Sequence, residues 1–562
     1  MVGLLTDMLH HLDIPSDARL MSVSASTDPV DGSMVWTVQY KALPVTPSAH
    51  YAREAGVQAS RSTQALPGLP ASRSGAVRPE SPRVPAHAAF LGLPSPPVPR
   101  EGTGLAPAMP PRIDIPTSMT FPMLQTTAAA AERGHLMRCF QLKCIVQTYA
   151  WGKIGLDSAV ARIAFAEGAL SDDIALEEGT PYAELWMGTH PSGPSLVVLE
   201  QPWKTITPLS EWLKHNPELG GSKSMATHKA HKGSVPFLLK VLSVRTALSI
   251  QAHPDKLLAQ ELHAKRADLY KDDNHKPEMA IAITPFEALC SFQRATSIVA
   301  NCAACPELVE LIGEDSVGAL DQAATSEDDA KPALRQLYTR LMTAAPHVVA
   351  QKLSNLISRI EATVEMLRAP VDTLALRLHT QYPADVGVFC VYLLNYICLK
   401  PGEALFMAAN EPHAYLFGDC VECMATSDNV VRAGLTPKFK DTNTLCDMLT
   451  YKDGPVERIQ GTPISKFVTA FIPPPDVDEF RIERCQLPPK STSPLKFVDG
   501  VSILIVVAGN GTVEESALQP GSMGAVQSIA VGTVLLVSAG THLTLKTFEN
   551  GMLAFRAMPR NA

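Results

Sequence analysis

Two residues one strand-step apart open the case for chemistry. Gln251 and His253 lie at i and i+2 in TALSIQAHP (246–254), where polar and apolar residues alternate as in a half-buried strand. On a strand, residues at that spacing face the same way, so both side chains reach toward one point, and Ser249 shares the face. Glu278 follows in DNHKPEMAI and His413 in NEPHAY. One amide oxygen, two imidazoles and one carboxylate make a donor set suited to zinc or a similar divalent ion: the carboxylate balances charge, and each neutral imidazole binds through one nitrogen. An ion that serves catalysis needs a further open position. Spacing by itself does not select this reading, because a histidine on a strand is more often a satisfied core residue. Cys302-x-x-Cys305 and Cys420-x-x-Cys423 fit buried thiols better than a four-cysteine site. Both pairs sit in apolar segments, and the second falls on an expected strand, where its side chains face opposite ways. Gly509-Asn510-Gly511 reads as a hairpin corner rather than a phosphate cradle, since no helix follows it.

The elements that must hold these residues are mostly strands. MRCFQLKCIVQTYAW (137–151) reads as a strand, and SLVVLE (195–200) and PFLLKVLSV (236–244) as buried strands. Apolar residues recur at helical spacing from Asp255 to Leu269, with Pro254 as a start signal. A long helical stretch covers 295–379. Strands return over 386–425, punctuated at Pro401-Gly402 and Gly418-Asp419, and the last hundred residues are short strands with glycine corners. The expected fold is mainly β with a helical insertion, built on two jelly-roll or cupin-type barrels. The expected domains are a central barrel from 137–294 and 380–461 carrying the metal residues, a helical insertion at 295–379, and a C-terminal barrel at 462–562.

Residues 1–136 differ in texture. They hold 18 of the 46 prolines and lack the periodic apolar surface that would offset chain entropy, so a disordered extension is expected. Two other readings stay open. Residues 33–100 contain only the acids Glu54 and Glu80, as a transit peptide would allow, and Met137 is an alternative start. The net charge of −8 argues against a nucleic-acid partner, and no apolar run is long enough to span a membrane. Eleven scattered cysteines, an odd number, and an N-terminus without a secretory signal point to the cytoplasm.

Longer stretches carry a resemblance. SIQAHPDKLLAQELHA, YKDDNHKPEMAIAITPFEALCSF, ANEPHAY and SDNVVRAGLTPKFKD resemble the type I phosphomannose isomerases, zinc-dependent and of the cupin class. YAWGKIG and YAELWMGTHPSGPS resemble them too, and the likeness covers about residues 138–562. The resemblance implies one zinc held by Gln251, His253, Glu278 and His413. It implies interconversion of mannose 6-phosphate and fructose 6-phosphate through a cis-enediol or enediolate, feeding GDP-mannose synthesis and glycosylation. By the same likeness Arg432 is the active-site arginine, and Glu422 and Lys276 are both open as the base. Ser249, Lys438, Tyr415, Asp428 and His275 match substrate-binding positions, with Asp428 placed to orient Arg432. The expected partner is a small hexose phosphate, acting on a monomer. Rival readings are a related sugar-phosphate isomerase, a non-catalytic cupin that binds sugar or metal, and an iron-dependent cupin dioxygenase. The last uses two histidines and one carboxylate, so Gln251 as a fourth donor counts against it.

Overall fold

The computed structural model describes residues 18–27, 34–42, 138–166, 169, 175–199, 205–221, 233–516 and 525–562. They fall into two units, Met1–Pro116 and Thr117–Ala562. In the first, strands Ala18–Thr27 and Met34–Ala42 pair antiparallel, with a bulge between Leu20 and Ser22. Both strands fall within the 1–136 stretch expected to be a disordered extension, and the rest of that stretch lies outside the described residues.

The second unit is mainly β. Ten strands form one antiparallel sheet and eleven form another. Apolar side chains such as Phe237, Leu239, Met279, Phe480, Ile503 and Leu536 form a continuous core spanning strands of both. The helical insertion begins at helix Ala295–Ala304 and ends at helix Pro370–Gln381. Its long helices Glu327–Thr343 and Pro346–Ala362 bury Leu334, Tyr338, Leu353 and Leu356 in one apolar cluster. Among the described residues no single helix is long and apolar enough to cross a membrane. Helices Ala295–Ala304 and Pro306–Ile312 would pass that test together, but they meet at 112° and bury Ile298, Cys302, Leu308 and Ile312.

Several expectations change. The run at 137–151 is two strands: Cys139–Lys143 lies between Leu196–Leu199 and Val534–Val537 in the eleven-stranded sheet, while Ile145–Gln147 pairs with Glu184–Met187 in the other. Alternation has the same period in either sheet, so it cannot show where a chain changes sheets. The second sheet therefore takes strands from well before residue 462. Residues 386–392 form a fully buried 3-10 helix, not a strand, started by the Asp385 side chain accepting from Gly387 N–H. A short apolar run buried on all sides carries no period that separates the two. Gly509–Gly511 is no corner: strand Ser502–Glu515 runs through it, with register shifts at Val506/Ala508 and Gly509/Gly511. The cysteine pairs are buried thiols as expected, with Cys420 and Cys423 in different apolar clusters.

One strand organises the site. His413–Ala425 begins beside Phe286–Phe292, with His413 opposite Cys290, and ends between Phe237–Val244 and Glu278–Ala282. It changes partners at Gly418, whose φ is 112°. A Cβ there would lie 2.4 Å from the Pro285 carbonyl oxygen and 2.9 Å from Phe286 Cα. Gly418→Ala is therefore expected to cost on the order of 2 kcal/mol of folding stability, from a backbone conformation that side chains disfavour and from these contacts. Urea unfolding measures it, and an unchanged midpoint would show that the strand can turn without glycine.

Candidate metal centre and its cleft

Burial of Ile250 and Ala252 on one face of the short strand Ile250–Ala252 sends Gln251 the other way, into a cleft. In register, Gln251 stands opposite both His413 and Arg432, so these three form one row across adjacent strands. His253 follows at the strand end, and Glu278 heads strand Glu278–Ala282. His253, Glu278 and His413 are each at most 2% exposed.

The hydrogen bonds around the two histidines fix their chemistry. His253 Nδ1 lies 2.7 Å from the Asn429 carbonyl oxygen, and His413 Nδ1 lies 3.0 Å from that of Glu411. A carbonyl only accepts, so each Nδ1 carries the hydrogen and each Nε2 is a bare lone pair. Those Nε2 atoms face Glu278: His253 at 3.5 Å from Oε1, His413 at 3.3 Å from Oε2. Both Nε2 atoms and Glu278 Oε2 are buried without a hydrogen-bond partner. The three donor atoms lie within 4.8 Å of one another. Converging lone pairs on buried donors are the arrangement a divalent cation satisfies, so these residues fit a metal. Gln251 Oε1 accepts from the Ser249 hydroxyl at 3.4 Å, and Gln251 stands opposite His413 in register. Behind His253, Asn429 is held in turn by its side-chain N–H donating to the carbonyls of Asp272 and Asn274.

Gln251 and Glu278 line a cleft of about 720 Å³, while His253 and His413 meet Glu278 from outside its lining. Ser249, Lys276, Tyr415, Glu422, Asp428, Arg432 and Lys438 all line it, as anticipated from the sequence. Lys276 Nζ lies 3.4 Å from Glu278 Oε1. Tyr415 donates its hydroxyl to Glu422 Oε1 at 2.8 Å. Arg432 has no carboxylate in ion-pair reach among the described residues, and partial burial lowers its pKa.

Two anticipated contacts differ. Asp428 pairs with His190 Nε2 at 3.3 Å rather than orienting Arg432, and that bond keeps its carboxyl below the usual range. His275 does not line the cleft; its Nε2 bonds Glu479 Oε1 at 2.7 Å, because next to Lys276 the chain alternates sides. Among the cleft groups that escaped the sequence reading are Lys240, Glu184 and His190. Lys240 is opposite Glu422 in register, 3.1 Å from its Oε2 and 3.5 Å from Glu184 Oε2. The signal was present, since Lys240 is the one charge in the apolar run PFLLKVLSV.

Electrostatics sort these groups. Burial pushes the Glu422 carboxyl up, and the charges of Glu278 and Glu184 add to this against the pull of Lys240. Burial alone would lower Lys240, but Glu184, Glu422 and Glu278 outweigh it and hold it as an ammonium. Burial likewise disfavours charge on Glu278, yet His253 and Lys276 keep its carboxyl well below the ordinary range. His253 is driven down to about 4 by burial.

Comparison with known proteins agrees with this geometry. The family model for the phosphomannose isomerase type I catalytic domain matches residues 139–295, and that for the type I helical insertion domain matches 311–394. Mannose-6-phosphate isomerase of Bos taurus is 44% identical over 431 residues, covering 75% of this chain and 98% of its own. Mannose-6-phosphate isomerase 1 of Arabidopsis thaliana is 42% identical over 419 residues, 74% of this chain and 92% of its own. A crystal structure of a point mutant of phosphomannose isomerase from Salmonella typhimurium superposes with a TM-score of 0.61 at 27% identity, covering 75% of this chain and all (100%) of its own. A zinc-bound mannose 6-phosphate isomerase structure gives 0.60 at 27% over the same shares, 75% and 100%.

The depressed His253 pKa has a sign. Below its ordinary value of 6.5 the unfolded chain takes up a proton that the folded chain refuses until about 4. Metal-stripped protein should therefore lose stability as pH falls through that window. Urea titrations at stepped pH read the slope, and His253→Asn should flatten it; a flat wild-type profile would contradict a buried neutral imidazole.

Proposed function

The chain belongs to the type I phosphomannose isomerases, and on that footing we propose that it interconverts mannose 6-phosphate and fructose 6-phosphate. The observation that carries this reading is one cleft whose lining joins Glu278, the carboxylate on which the two unsatisfied imidazoles converge, to an arginine with no carboxylate in ion-pair reach among the described residues. A non-catalytic cupin would have no call for that arginine. The metal is zinc, held by Gln251, His253, Glu278 and His413, as the donor chemistry and the zinc-bound structural neighbour support. When bound, zinc supplies a Lewis acid that polarises or orients the substrate oxygens.

The reaction moves a proton between C2 and C1 through a cis-enediolate, and the chain's own residues divide the work. Of the two candidate bases, Glu422 is better placed. Burial raises its pKa above the ordinary carboxylate value, which makes it a stronger base than a free carboxylate, and Tyr415 and Lys240 fix its orientation. Lys276, beside Glu278, serves instead as counter-charge to the metal's carboxylate. Arg432 faces the cleft with its guanidinium donors uncommitted and stabilises the enediolate oxygens. Lys438 and Ser249 take the phosphate, and Asp428, braced by His190, takes a sugar hydroxyl. Holding the reacting carbons in register in this way is worth up to about 7–11 kcal/mol. His275 keeps to Glu479 and is left out of the substrate contacts.

The finer architecture we read as two cupin-type barrels. The central one spans 137–294 and 380–461 around the 295–379 insertion, and the C-terminal one, 462–562, is completed by the strands Cys139–Lys143, Leu196–Leu199 and Thr205–Pro208. All eleven cysteines are free thiols, which supports a reducing compartment. We place the protein in the cytoplasm as a monomer feeding GDP-mannose synthesis and glycosylation.

Chelation should abolish conversion of mannose 6-phosphate to fructose 6-phosphate, and added zinc should restore it. Arg432→Ala is expected to lower kcat/KM by about 10²–10³ while zinc content stays at one per chain. Glu422→Gln should lower kcat by about 10²–10⁴. A coupled assay with metal analysis reads all three. Tight metal binding without isomerisation of any hexose phosphate would return the non-catalytic cupin to first place.

A further inference from the structure

The end of the helical insertion grips two neighbouring stretches at the cleft, the chain just before Ile250 and the chain just after Gly434, which stand opposite each other in register. After helix Pro370–Gln381, the Gln381 side chain accepts from Ala247 N–H at 2.9 Å, and the Tyr382 hydroxyl donates to the Ala247 carbonyl at 2.5 Å, two residues before Ser249. Asp385 then reaches the neighbouring stretch after Gly434. Its Oδ1 accepts from Gly387 N–H at 2.7 Å and from Leu435 N–H at 2.6 Å; its Oδ2 accepts from Thr436 N–H at 3.4 Å and lies 3.7 Å from Lys440 Nζ. Leu435, Thr436, Pro437 and Lys438 all line the cleft, whereas Asp385 does not.

The turn Asp385 holds would not hold itself. Leu435 is a branched residue with φ of 53°, a region that favours glycine. Behind it the two backbones touch: a Cβ on Gly434 would lie 2.5 Å from Gly387 Cα, and one on Gly387 would lie 2.5 Å from Leu435 N. Beyond it, the Thr436 hydroxyl accepts from Lys438 N–H at 3.1 Å, passing the fixed geometry to the lysine. A carboxylate that takes two successive N–H groups of a strained turn and sits beside a lysine is a clamp made of charge-assisted bonds.

We propose that Asp385 is a positioning residue for the phosphate end of the cleft, holding the Leu435–Lys438 turn so that Lys438 meets the anion; this rests on the reading of Lys438 as a phosphate ligand. The helical insertion thus sets substrate affinity through a residue that never touches substrate.

The test uses the zinc-loaded full chain as wild type, D385N, D385A, K438A and D385N/K438A. KM and kcat for mannose 6-phosphate, the inhibition constant of inorganic phosphate and the thermal midpoint are measured. D385N should raise KM and the phosphate inhibition constant together by roughly tenfold, with kcat changed far less, as expected when binding common to ground and transition states is lost. The double variant should be no weaker toward phosphate than K438A alone. D385A should do the same more strongly, and if it does not fold, D385N carries the test. A merely structural role would lower the midpoint of D385N and leave phosphate inhibition where it was, overturning the proposal. Should K438A fail to weaken phosphate inhibition, the phosphate reading of Lys438 falls and this proposal with it. Should K438A weaken it and D385N not, this proposal alone falls.

Discussion

A carboxylate and two imidazoles whose lone pairs converge inside an apolar wall are costly to bury without a cation among them. Each histidine is already committed through Nδ1 to a backbone carbonyl, so neither neutral ring can offer a hydrogen to Glu278 without giving up that bond. Lys276 offsets part of the charge from the side. Much of the nearby structure keeps this demand in place. The loop around Asp272 and Asn274 fixes Asn429, which aims His253, and the Ser427 hydroxyl donates to Asp272 at 2.8 Å to lock the two loops together.

The same strand that delivers His413 delivers Tyr415 and Glu422, so metal chemistry and proton chemistry share one rigid ruler. The strand accomplishes this by serving two sets of neighbours, which requires the turn at Gly418. Lys240 on the adjacent strand stands directly opposite Glu422. The spacing between the acid and its cation is therefore set by sheet register, the least adjustable distance a protein has, rather than by loop conformation.

Much of the site was legible because its residues fall in or beside strands in long distinctive segments: of the residues in QAH, HKPEM and EPHAY, the fold draws His253, Glu278 and His413 together and puts Gln251 and Glu278 in the cleft lining. What the sequence hid were relations between faces. His275 adjoins Lys276 yet turns to Glu479, and Asp428 chose His190 over Arg432, because partners distant in sequence compete for each side chain. Lys240 passed unnoticed inside an apolar run, although a charge there signals a buried partner. For the fold, the helical insertion and its long helices followed from periodicity. The 3-10 segment at 386–392 and the change of sheet at Cys144 did not, since burial on every side and strand alternation look the same in either alternative.

Strand Cys139–Lys143 lies hydrogen-bonded to Val534–Val537 in the interior of its sheet, and Arg138 and Ala539, joined by a hydrogen bond, are 401 positions apart. A ribosome releases the first of these partners long before the second. Until the last strands emerge, an early apolar strand has an open edge, of the kind that invites pairing with another chain. Closure at so long a separation is slow by nature, since the entropy of the loop must be met before the pairing gives anything back. The nascent chain therefore has reason to depend on chaperones that cover that edge, and loss of the final strands would expose it permanently, however intact the metal residues remain.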